Sequence, residues 1–105
     1  MVKIANAAFK IGQIIHHKLF DYRGVIIDID PIFMLTDEWY DVMATSKPPK
    51  NKAWYHVLVD NALHQTYVSE KNIENSLDNT EINHPEVELY FDEYKNGEYI
   101  IKNYC

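Results

Sequence analysis

Two aspartates in one short segment are the first candidates for chemistry. Asp28 and Asp30 are separated by one residue, in a run of β-branched residues that ends at Pro31. In an extended strand both carboxylates lie on the same face. Two carboxylates that share a site raise the pKa of one of them, which is the basis of paired acid–base catalysis. The interpretation we prefer is structural: the acid before Pro31 accepts backbone N–H bonds in the turn that follows.

The histidines suggest a metal site but do not have the spacing of one. They are His16, His17, His56, His64 and His84. No two of them are four residues apart, as ligands on one face of a helix would be, and adjacent strand residues point to opposite faces. We therefore predict no metal site and no cofactor.

The sequence has none of the motifs that indicate an enzyme. Its three glycines, Gly12, Gly24 and Gly97, are too far apart for a phosphate-binding loop, and there is no Gly-x-Ser-x-Gly motif. Cys105 is the single cysteine, so it forms no internal disulfide, and at a chain terminus it is a poor nucleophile candidate. We predict a protein that is not an enzyme and has no catalytic residues.

Charge is distributed unevenly along the chain. Residues 1–59 carry seven lysine and arginine residues against six carboxylates, whereas residues 60–105 carry three against ten. The acidic half would repel duplex DNA, so any DNA contact is expected in the first half. The cations that we assign to such a contact are Arg23, Lys47, Lys50 and Lys52.

Length and hydropathy describe one small folded domain. The chain has 105 residues, of which 47% are apolar and 25% charged, so we expect a single domain over residues 1–105. No apolar run reaches the roughly 18 to 20 residues of a membrane-spanning helix, and the N-terminus lacks the pattern of a secretory signal. We expect a cytoplasmic protein without membrane contact.

Short apolar runs separated by turn residues predict a mainly β domain, whose strands and loops position the aspartates, histidines and cations described above. The predicted strands are residues 11–17, 25–31, 54–60 and 64–69. The last two are separated by three residues and predict a hairpin. After them, residues 70–73 predict a tight turn that enters a last short strand or a single helical turn.

Strict alternation in the second predicted strand assigns its two faces. Period two places one apolar set, Val25, Ile27 and Ile29, on a buried face. Ile26 lies on the opposite face with the two aspartates. We therefore expect a half-buried strand that Pro31 ends.

The longest segment without a β pattern is residues 32–53. Its polar, basic part, residues 46–52, contains two prolines and predicts an exposed loop. The apolar residues around Trp39 and Tyr40 indicate that part of the segment packs, as a helical turn. Functional residues are common on loops of this length. We therefore assign Trp39 and Tyr40, together with the loop lysines, as contacts for DNA or a protein partner.

Two interpretations fit residues 85–101. Apolar residues from Val87 to Tyr94 recur at helical spacing after a proline, which predicts a C-terminal helix of about three turns. In the alternative, the same segment is a strand and Asn96-Gly97 forms a hairpin turn before another strand. We favour the helix.

Sequence blocks along nearly the whole chain resemble one protein family. The blocks are Gly12-Gln13, Tyr22-Arg23-Gly24-Val25-Ile26, Asp28-Ile29-Asp30-Pro31, Trp54-Tyr55-His56-Val57, Tyr67-Val68, Glu70-Asn72-Ile73 and His84-Pro85. The Asp-Ile-Asp-Pro and Trp-Tyr-His-Val blocks at this separation are the most specific. On these residues the chain resembles the bacterial heat-shock protein HspQ family, also called the YccV-like or hemimethylated-DNA-binding family, which has relatives in some eukaryotic F-box proteins.

The resemblance implies a fold and two kinds of function. The fold is a small SH3-like barrel of about five strongly bent antiparallel strands with a short C-terminal helix. One function is to promote degradation of specific or denatured proteins during heat stress, as an adaptor and substrate of the ATP-dependent Lon protease, with the replication initiator DnaA among the targets. The other is binding of hemimethylated double-stranded DNA. Neither is enzymatic.

The composition favours the first of these functions. DNA binding needs several phosphate contacts from lysine or arginine, which the acidic half weakens. A protein adaptor needs aromatic anchors and tolerates net acidity. We expect a homo-oligomer because small sheets have edges to bury, and the resemblance to the family implies a trimer. The family blocks are expected to serve the fold, with Gly24 allowing an unusual backbone at a barrel turn.

Overall fold

Five antiparallel strands form one sheet in the computed structural model, which describes residues 7–102. The strands are β1 (Ile14–His17), β2 (Arg23–Asp30), β3 (Trp54–Val59), β4 (Gln65–Ser69) and β5 (Ile73–Asn75). Their order in the sheet is β4-β3-β2-β1-β5, so β4 and β5 are its edges. The predicted mainly β fold of about five antiparallel strands is confirmed.

The remaining elements are two helices, one 3-10 turn and a hairpin. They are α1 (Asp37–Met43), the 3-10 turn Glu70–Asn72, α2 (Val87–Tyr90), β6 (Phe91–Lys95) and β7 (Glu98–Ile101). Helix α1 confirms the helical turn predicted within residues 32–53, and β3–β4 confirms the predicted hairpin. No helix within residues 7–102 is both long and apolar enough to span a membrane.

Apolar side chains are buried on both faces of the sheet. One cluster contains Ile15, Ile26 and Tyr55, and the other contains Ile14, Val25, Leu58, Phe91 and Tyr99. Neighbouring residues of one strand therefore enter different clusters, as the nearly continuous apolar runs of β1 to β3 require. The β6–β7 hairpin supplies part of the second cluster and so covers that face of the sheet.

A β-bulge overturns the alternation predicted for β2. Ile26 pairs with Val57 and Asp28 with His56, so Ile27 is an extra residue without a partner on β3. The bulge shifts the side chains that follow it, and Ile29 packs in the cluster that contains Ile26. The prediction of one buried and one exposed face was wrong for the first part of β2, where Val25 and Ile26 are both fully buried, whereas Asp28 farther along is exposed.

Gly24 is needed for a different reason from the one predicted. It pairs with Val59 inside the sheet and does not have the left-handed backbone of a turn. A Cβ at this position would lie 2.4 Å from Val57 Cγ1 and 2.6 Å from the Leu58 carbonyl oxygen. Glycine at position 24 therefore allows β3 to approach β2 closely.

The C-terminal segment forms the hairpin of the alternative interpretation. Helix α2 is a single turn, and the predicted three-turn helix was wrong. Asn96 and Gly97 both have positive φ, 54° and 80°, as the tight turn of a two-residue hairpin requires. A strand from Phe91 onward also brings Phe91 beside Tyr99, with ring centroids 5.2 Å apart, into the second cluster.

Candidate functional site

An aromatic cluster forms where α1 packs against the sheet. Helix α1 begins after Thr36, whose Oγ1 accepts the Trp39 backbone N–H at 3.1 Å. This cap sets the first turn of the helix, which carries Trp39 and Tyr40. The Trp39 ring meets the Tyr67 ring edge-on at 5.5 Å, and Tyr67 stacks on Trp54 at 5.2 Å.

Trp54 is the floor of this cluster and also anchors the loop. It is only 1% exposed, and its indole N–H donates to the Pro49 carbonyl at 3.0 Å. The Tyr40 hydroxyl donates to the neighbouring Pro48 carbonyl at 2.8 Å. Two buried or half-buried aromatic side chains thereby fix the proline segment that the sequence predicted as an exposed loop.

The loop lysines lie beside Tyr40. The ammonium of Lys50 is 4.3 Å from the centre of the Tyr40 ring and that of Lys47 is 5.1 Å from it. Each also has a carboxylate near it within α1: Lys50 lies 3.0 Å from Asp37, and Lys47 lies 3.7 Å from Asp41. The structure therefore brings together Lys47, Lys50 and Tyr40.

The other predicted contact residues are placed differently. Trp39 belongs to the same aromatic cluster, and Lys52 is exposed at the end of the same loop. Arg23 lies at the start of β2, at the opposite end of the strand from this loop. Its guanidinium is mostly buried and donates to Asp60 Oδ2 at 2.9 Å and to the Asp78 carbonyl at 2.8 Å. Arg23 therefore does not form one patch with the lysines.

A groove of about 440 Å³ runs along β4. One wall comes from residues 35–48 and from β3, with Leu35, Trp39, Met43 and Trp54. The opposite wall comes from the β1–β2 turn and is lined by His17, Leu19, Phe20 and Tyr22. We call this feature the β4 groove.

The rim of the β4 groove is apolar and exposed. Phe20 is 65% exposed, Met43 59%, Leu19 54% and Leu35 41%. Monomeric proteins seldom expose a contiguous set of large apolar side chains unless the set contacts a partner. Sequence patterns did not single out these rim residues; the available signal was the apolar pair Leu19-Phe20 in the connection between the first two predicted strands.

His17 shapes the wall made by the β1–β2 turn. Its Nδ1 accepts the backbone N–H groups of Leu19 and Phe20, both at 3.1 Å, and its ring stacks on Phe20 and Tyr22. Burial, and to a lesser extent the neighbouring His16, lower the pKa of His17. The neutral ring matches its role as an acceptor, and it holds the two apolar rim residues in place.

Asp28, Asp30 and His56 converge beside the aromatic cluster. One potential ligand atom from each lies within 4.8 Å of the others. Asp30 Oδ2 already accepts the Tyr67 hydroxyl at 2.7 Å and lies 3.2 Å from His56 Nε2. Burial, followed by the hydrogen bond to Asp30, raises the pKa of Tyr67. The carboxylate therefore holds the Tyr67 ring against the groove.

The backbone acceptor in this segment is not the one predicted. Asp28 Oδ1 accepts the Ile29 N–H at 2.9 Å. The side-chain partners of Asp30 are Tyr67 and His56, so the expectation that Asp30 caps the following turn was wrong. The bulge at Ile27 accounts for this, since it changes the direction of the residues after it.

Comparison with known proteins assigns the family. Residues 7–98 match the family model described as hemimethylated DNA-binding protein YccV-like. The chain belongs to the YccV-like family. Two relatives, F-box only protein 21 from Pongo abelii and from Homo sapiens, are each 33% identical over 100 residues. That match covers 93% of this chain and 16% of each relative, so the chain spans about one sixth of their length.

In this YccV-like domain the two most specific sequence blocks meet in space. Asp30, from the Asp-Ile-Asp-Pro block, contacts His56 from the Trp-Tyr-His-Val block. Trp54 from the second block forms the floor under Tyr67. The second block therefore lines the β4 groove through Trp54 and His56, and the first block supports it from behind through the bond of Asp30 to the Tyr67 hydroxyl. The exposed rim comes from residues outside both blocks.

Proposed function

We propose that this domain is a non-enzymatic accessory protein that binds protein partners through the β4 groove and promotes their degradation. The observation that carries the proposal is the groove itself, with its apolar rim and aromatic floor. Aromatic side chains and exposed apolar patches of this kind are typical of the centres of protein interfaces. The protease that we propose is the ATP-dependent protease Lon, for which the domain would be both adaptor and substrate.

The groove also offers polar groups that suit a polypeptide. Thr45, Ser46, Gln65 and Asn72 line it beside the apolar residues. A mixture of a few polar groups with an apolar lining fixes the orientation of a bound chain and gives selectivity. Denatured proteins expose both backbone and apolar side chains, so they meet both requirements.

Turnover of a defined substrate tests this function. Purified Lon is given ATP and fluorescently labelled casein, with and without the full chain. We expect faster casein turnover with the chain present, loss of this stimulation in the variant Phe20→Ser, and normal stimulation in the control variant Leu77→Ser. Leu77 is a fully exposed leucine that does not line the groove. Unchanged turnover with wild-type protein, together with no degradation of the chain itself by Lon, would overturn the proposal.

Binding of hemimethylated double-stranded DNA is the second candidate function. The description of the matching family favours it, and the basic part of the loop places Lys47, Lys50 and Lys52 on the surface beside aromatic residues. Phosphate contacts from such lysines position a protein on a duplex, and apolar contact in the major groove recognises a methyl group.

Fluorescence anisotropy separates this candidate from the first. Hemimethylated and unmethylated duplexes of one sequence are titrated at two salt concentrations. We expect methyl-dependent binding whose salt dependence falls when Lys47, Lys50 and Lys52 are changed to glutamate. The matched control changes three lysines outside the loop, Lys71, Lys95 and Lys102, and has the same net charge. Equal binding of both duplexes would exclude methyl recognition, and an equal loss in both variants would exclude a role for the loop.

We propose further that the protein is cytoplasmic and forms a homo-oligomer, specifically a trimer. The second sheet edge, β5, supports association and leaves the β4 groove open for partners. Sedimentation equilibrium measures the mass directly. A mass equal to the 12.4 kDa of one chain at all concentrations would exclude the oligomer.

A further inference from the structure

The outer edge of β4 is a strand edge without a backbone partner among residues 7–102. Within the sheet β4 pairs with β3 alone. Two hydrogen bonds at the ends of this ladder show which residues of β4 bond to β3. They join the Val59 N–H to the His64 carbonyl and the Glu70 N–H to the Ala53 carbonyl. By that alternation, residues 64, 66, 68 and 70 bond to β3, while Gln65, Tyr67 and Ser69 direct their N–H and C=O groups away from it.

These outward groups form a regular row. Gln65, Tyr67 and Ser69 are spaced two residues apart, about 6.8 Å along a strand. Within the described part of the chain, the backbone N–H and C=O groups of Gln65 and Tyr67 have no hydrogen bond. Ser69 differs, because it is only 1% exposed and its carbonyl, as the N-cap of the 3-10 turn, accepts the first hydrogen bond of that turn. The row therefore presents two unpaired donors and two unpaired acceptors, those of Gln65 and Tyr67, at the repeat of a neighbouring antiparallel strand.

The β4 groove surrounds this row on both sides. Ser69 pairs with Trp54, so Ser69, Trp54 and Tyr67 all lie on the same face of the sheet. Tyr67 stacks on Trp54 and belongs to the aromatic wall. Thr66 lies on the other face, where its hydroxyl is 2.7 Å from that of Tyr22. All residues from 64 to 69 line the groove. Because successive strand residues point to opposite faces, the groove follows the outer edge of β4 and not one face of the sheet. An added strand would place its side chains alternately against the two walls.

Charges at the two ends of β4 differ in sign. At the Gln65 end, Glu86 Oε1 accepts the Gln65 side-chain amide at 3.2 Å. Beyond the Ser69 end, the Lys18 ammonium donates to the Lys71 carbonyl at 3.3 Å. Neither Lys18 nor Lys71 has a carboxylate within 4.0 Å among the described residues. An antiparallel occupant is therefore complementary if it begins with an acidic residue and ends with basic ones.

We propose that the β4 groove binds an extended segment of a partner protein by strand addition, antiparallel to β4. The segment carries apolar side chains at alternate positions opposite Tyr67 and Gln65, where they contact the aromatic wall. An acidic residue precedes this stretch and basic residues follow it. This inference rests on the proposed protein-binding function and specifies the chemistry of the partner.

A synthetic peptide tests the mode of binding. The probe is acetyl-Glu-Val-Thr-Leu-Thr-Val-Lys-Lys-amide, titrated into the full-length chain by isothermal calorimetry and followed by amide chemical shifts. In the proposed register the N–H groups of Leu and of the second Val bond to the carbonyls of Tyr67 and Gln65, and those of the two Thr residues point outward. N-methylation of Leu and of the second Val should weaken binding at least 10-fold. N-methylation of the two Thr residues should weaken it less than 3-fold.

A pair of variants tests the same contact from the protein side. Gln65→Pro removes an outward N–H at the first residue of an edge strand, where proline is tolerated. Gln65→Ala removes the same side chain and its contact with Glu86 but retains the N–H. We expect the proline variant to bind the probe at least 5-fold more weakly than the alanine variant. Circular dichroism confirms that both variants are folded.

The outcomes distinguish this inference from the function on which it rests. Equal binding of the two N-methylated peptides, or equal binding by the two Gln65 variants, would overturn strand addition. Stimulation of Lon by the wild-type chain without any binding of the probe would also overturn it, while leaving the accessory function intact.

Discussion

The two ends of β2 show how differently one fold uses its cations. At the start of the strand, Arg23 has a side chain that is 16% exposed and contacts Asp60 and the backbone carbonyls of residues 78, 80 and 81. In the loop after the strand, Lys47 and Lys50 have side chains about half exposed, with contacts only inside their own segment.

The difference lies in how far along the chain the partners are. Arg23 binds groups 37 to 58 residues away, so it ties β2 to the segment that leads to the C-terminal hairpin. Lys50 binds Asp37, only 13 residues away, across one loop. Side chains with distant, buried partners stabilise the fold, whereas those with local, exposed partners are free to exchange them for a ligand.

Removing the Arg23 contacts should have the largest effect on stability. Arg23→Ala leaves the mostly buried carboxylate of Asp60 without its cation, and breaking such a pair costs roughly 3 to 5 kcal/mol. Urea unfolding measures the change. A loss of less than about 1 kcal/mol, the value of an exposed ion pair, would mean that Arg23 is not part of the structural core.

Filling the close approach between β2 and β3 should have the next largest effect. In Gly24→Ala the new methyl group overlaps Val57 Cγ1 and the Leu58 carbonyl oxygen. Because the carbonyl is backbone, the strands must move apart, at a cost of about 2 kcal/mol. Thermal unfolding measures the destabilisation, and an unchanged melting temperature would contradict the close packing.

The pH dependence of His16 gives a smaller effect of defined sign. Hydrogen bonds to Asp21 and Glu74, at 2.6 and 2.7 Å, raise the pKa of His16. A raised folded-state pKa stabilises the fold at pH values below 6.5, and this contribution is lost as pH rises through the folded-state pKa.

The variant His16→Gln isolates this contribution. We expect wild-type protein to exceed the variant in free energy of unfolding at pH 5.5, with the difference shrinking at pH 8.5. Both proteins contain His17, whose pKa is shifted in the opposite direction. Its contribution is therefore controlled by comparing the wild-type and variant unfolding free energies at each pH. A difference that grew with pH would contradict the assignment.

The smallest effect on stability is expected for Lys50, the loop cation that we compare with Arg23. Lys50→Ala removes a half-exposed cation, its ion pair with Asp37 and its contact with the Tyr40 ring. Such exposed pairs contribute about 0 to 1 kcal/mol, so the unfolding free energy should fall by no more than that. A loss as large as that of Arg23→Ala would remove the distinction between the two ends of β2.

Local sequence patterns predicted much of the fold. The two strand-like runs of β3 and β4, separated by a short connection, predicted the hairpin, and the aromatic residues near Trp39 indicated the helical turn, because both depend on neighbours along the chain. The C-terminal segment was ambiguous for the same reason: its apolar spacing fits a helix as well as a strand. Only the position of Phe91 beside Tyr99 in the second cluster decides between them.

The candidate site was predicted in part. Trp39, Tyr40, Lys47 and Lys50 do come together, since they lie in one segment of the chain. Arg23 does not join them, because its partners come from residues 60–81, which no local pattern connects to it. The lysines' role in DNA or partner binding stays a prediction, and Cys105 lies outside the described residues.

The sequence by itself determined the family, the mainly β class and the residue types available for binding, since these follow from sequence blocks and local alternation. The tertiary structure alone decided the bulge at Ile27, the burial of Arg23 and the β4 groove. The groove is assembled from the β1–β2 turn, the segment around α1 and an open strand edge, and its lining residues are spread along the chain from His17 to Asn72. Contacts at that separation depend on how the strands pair and pack, and no periodicity along the chain encodes them.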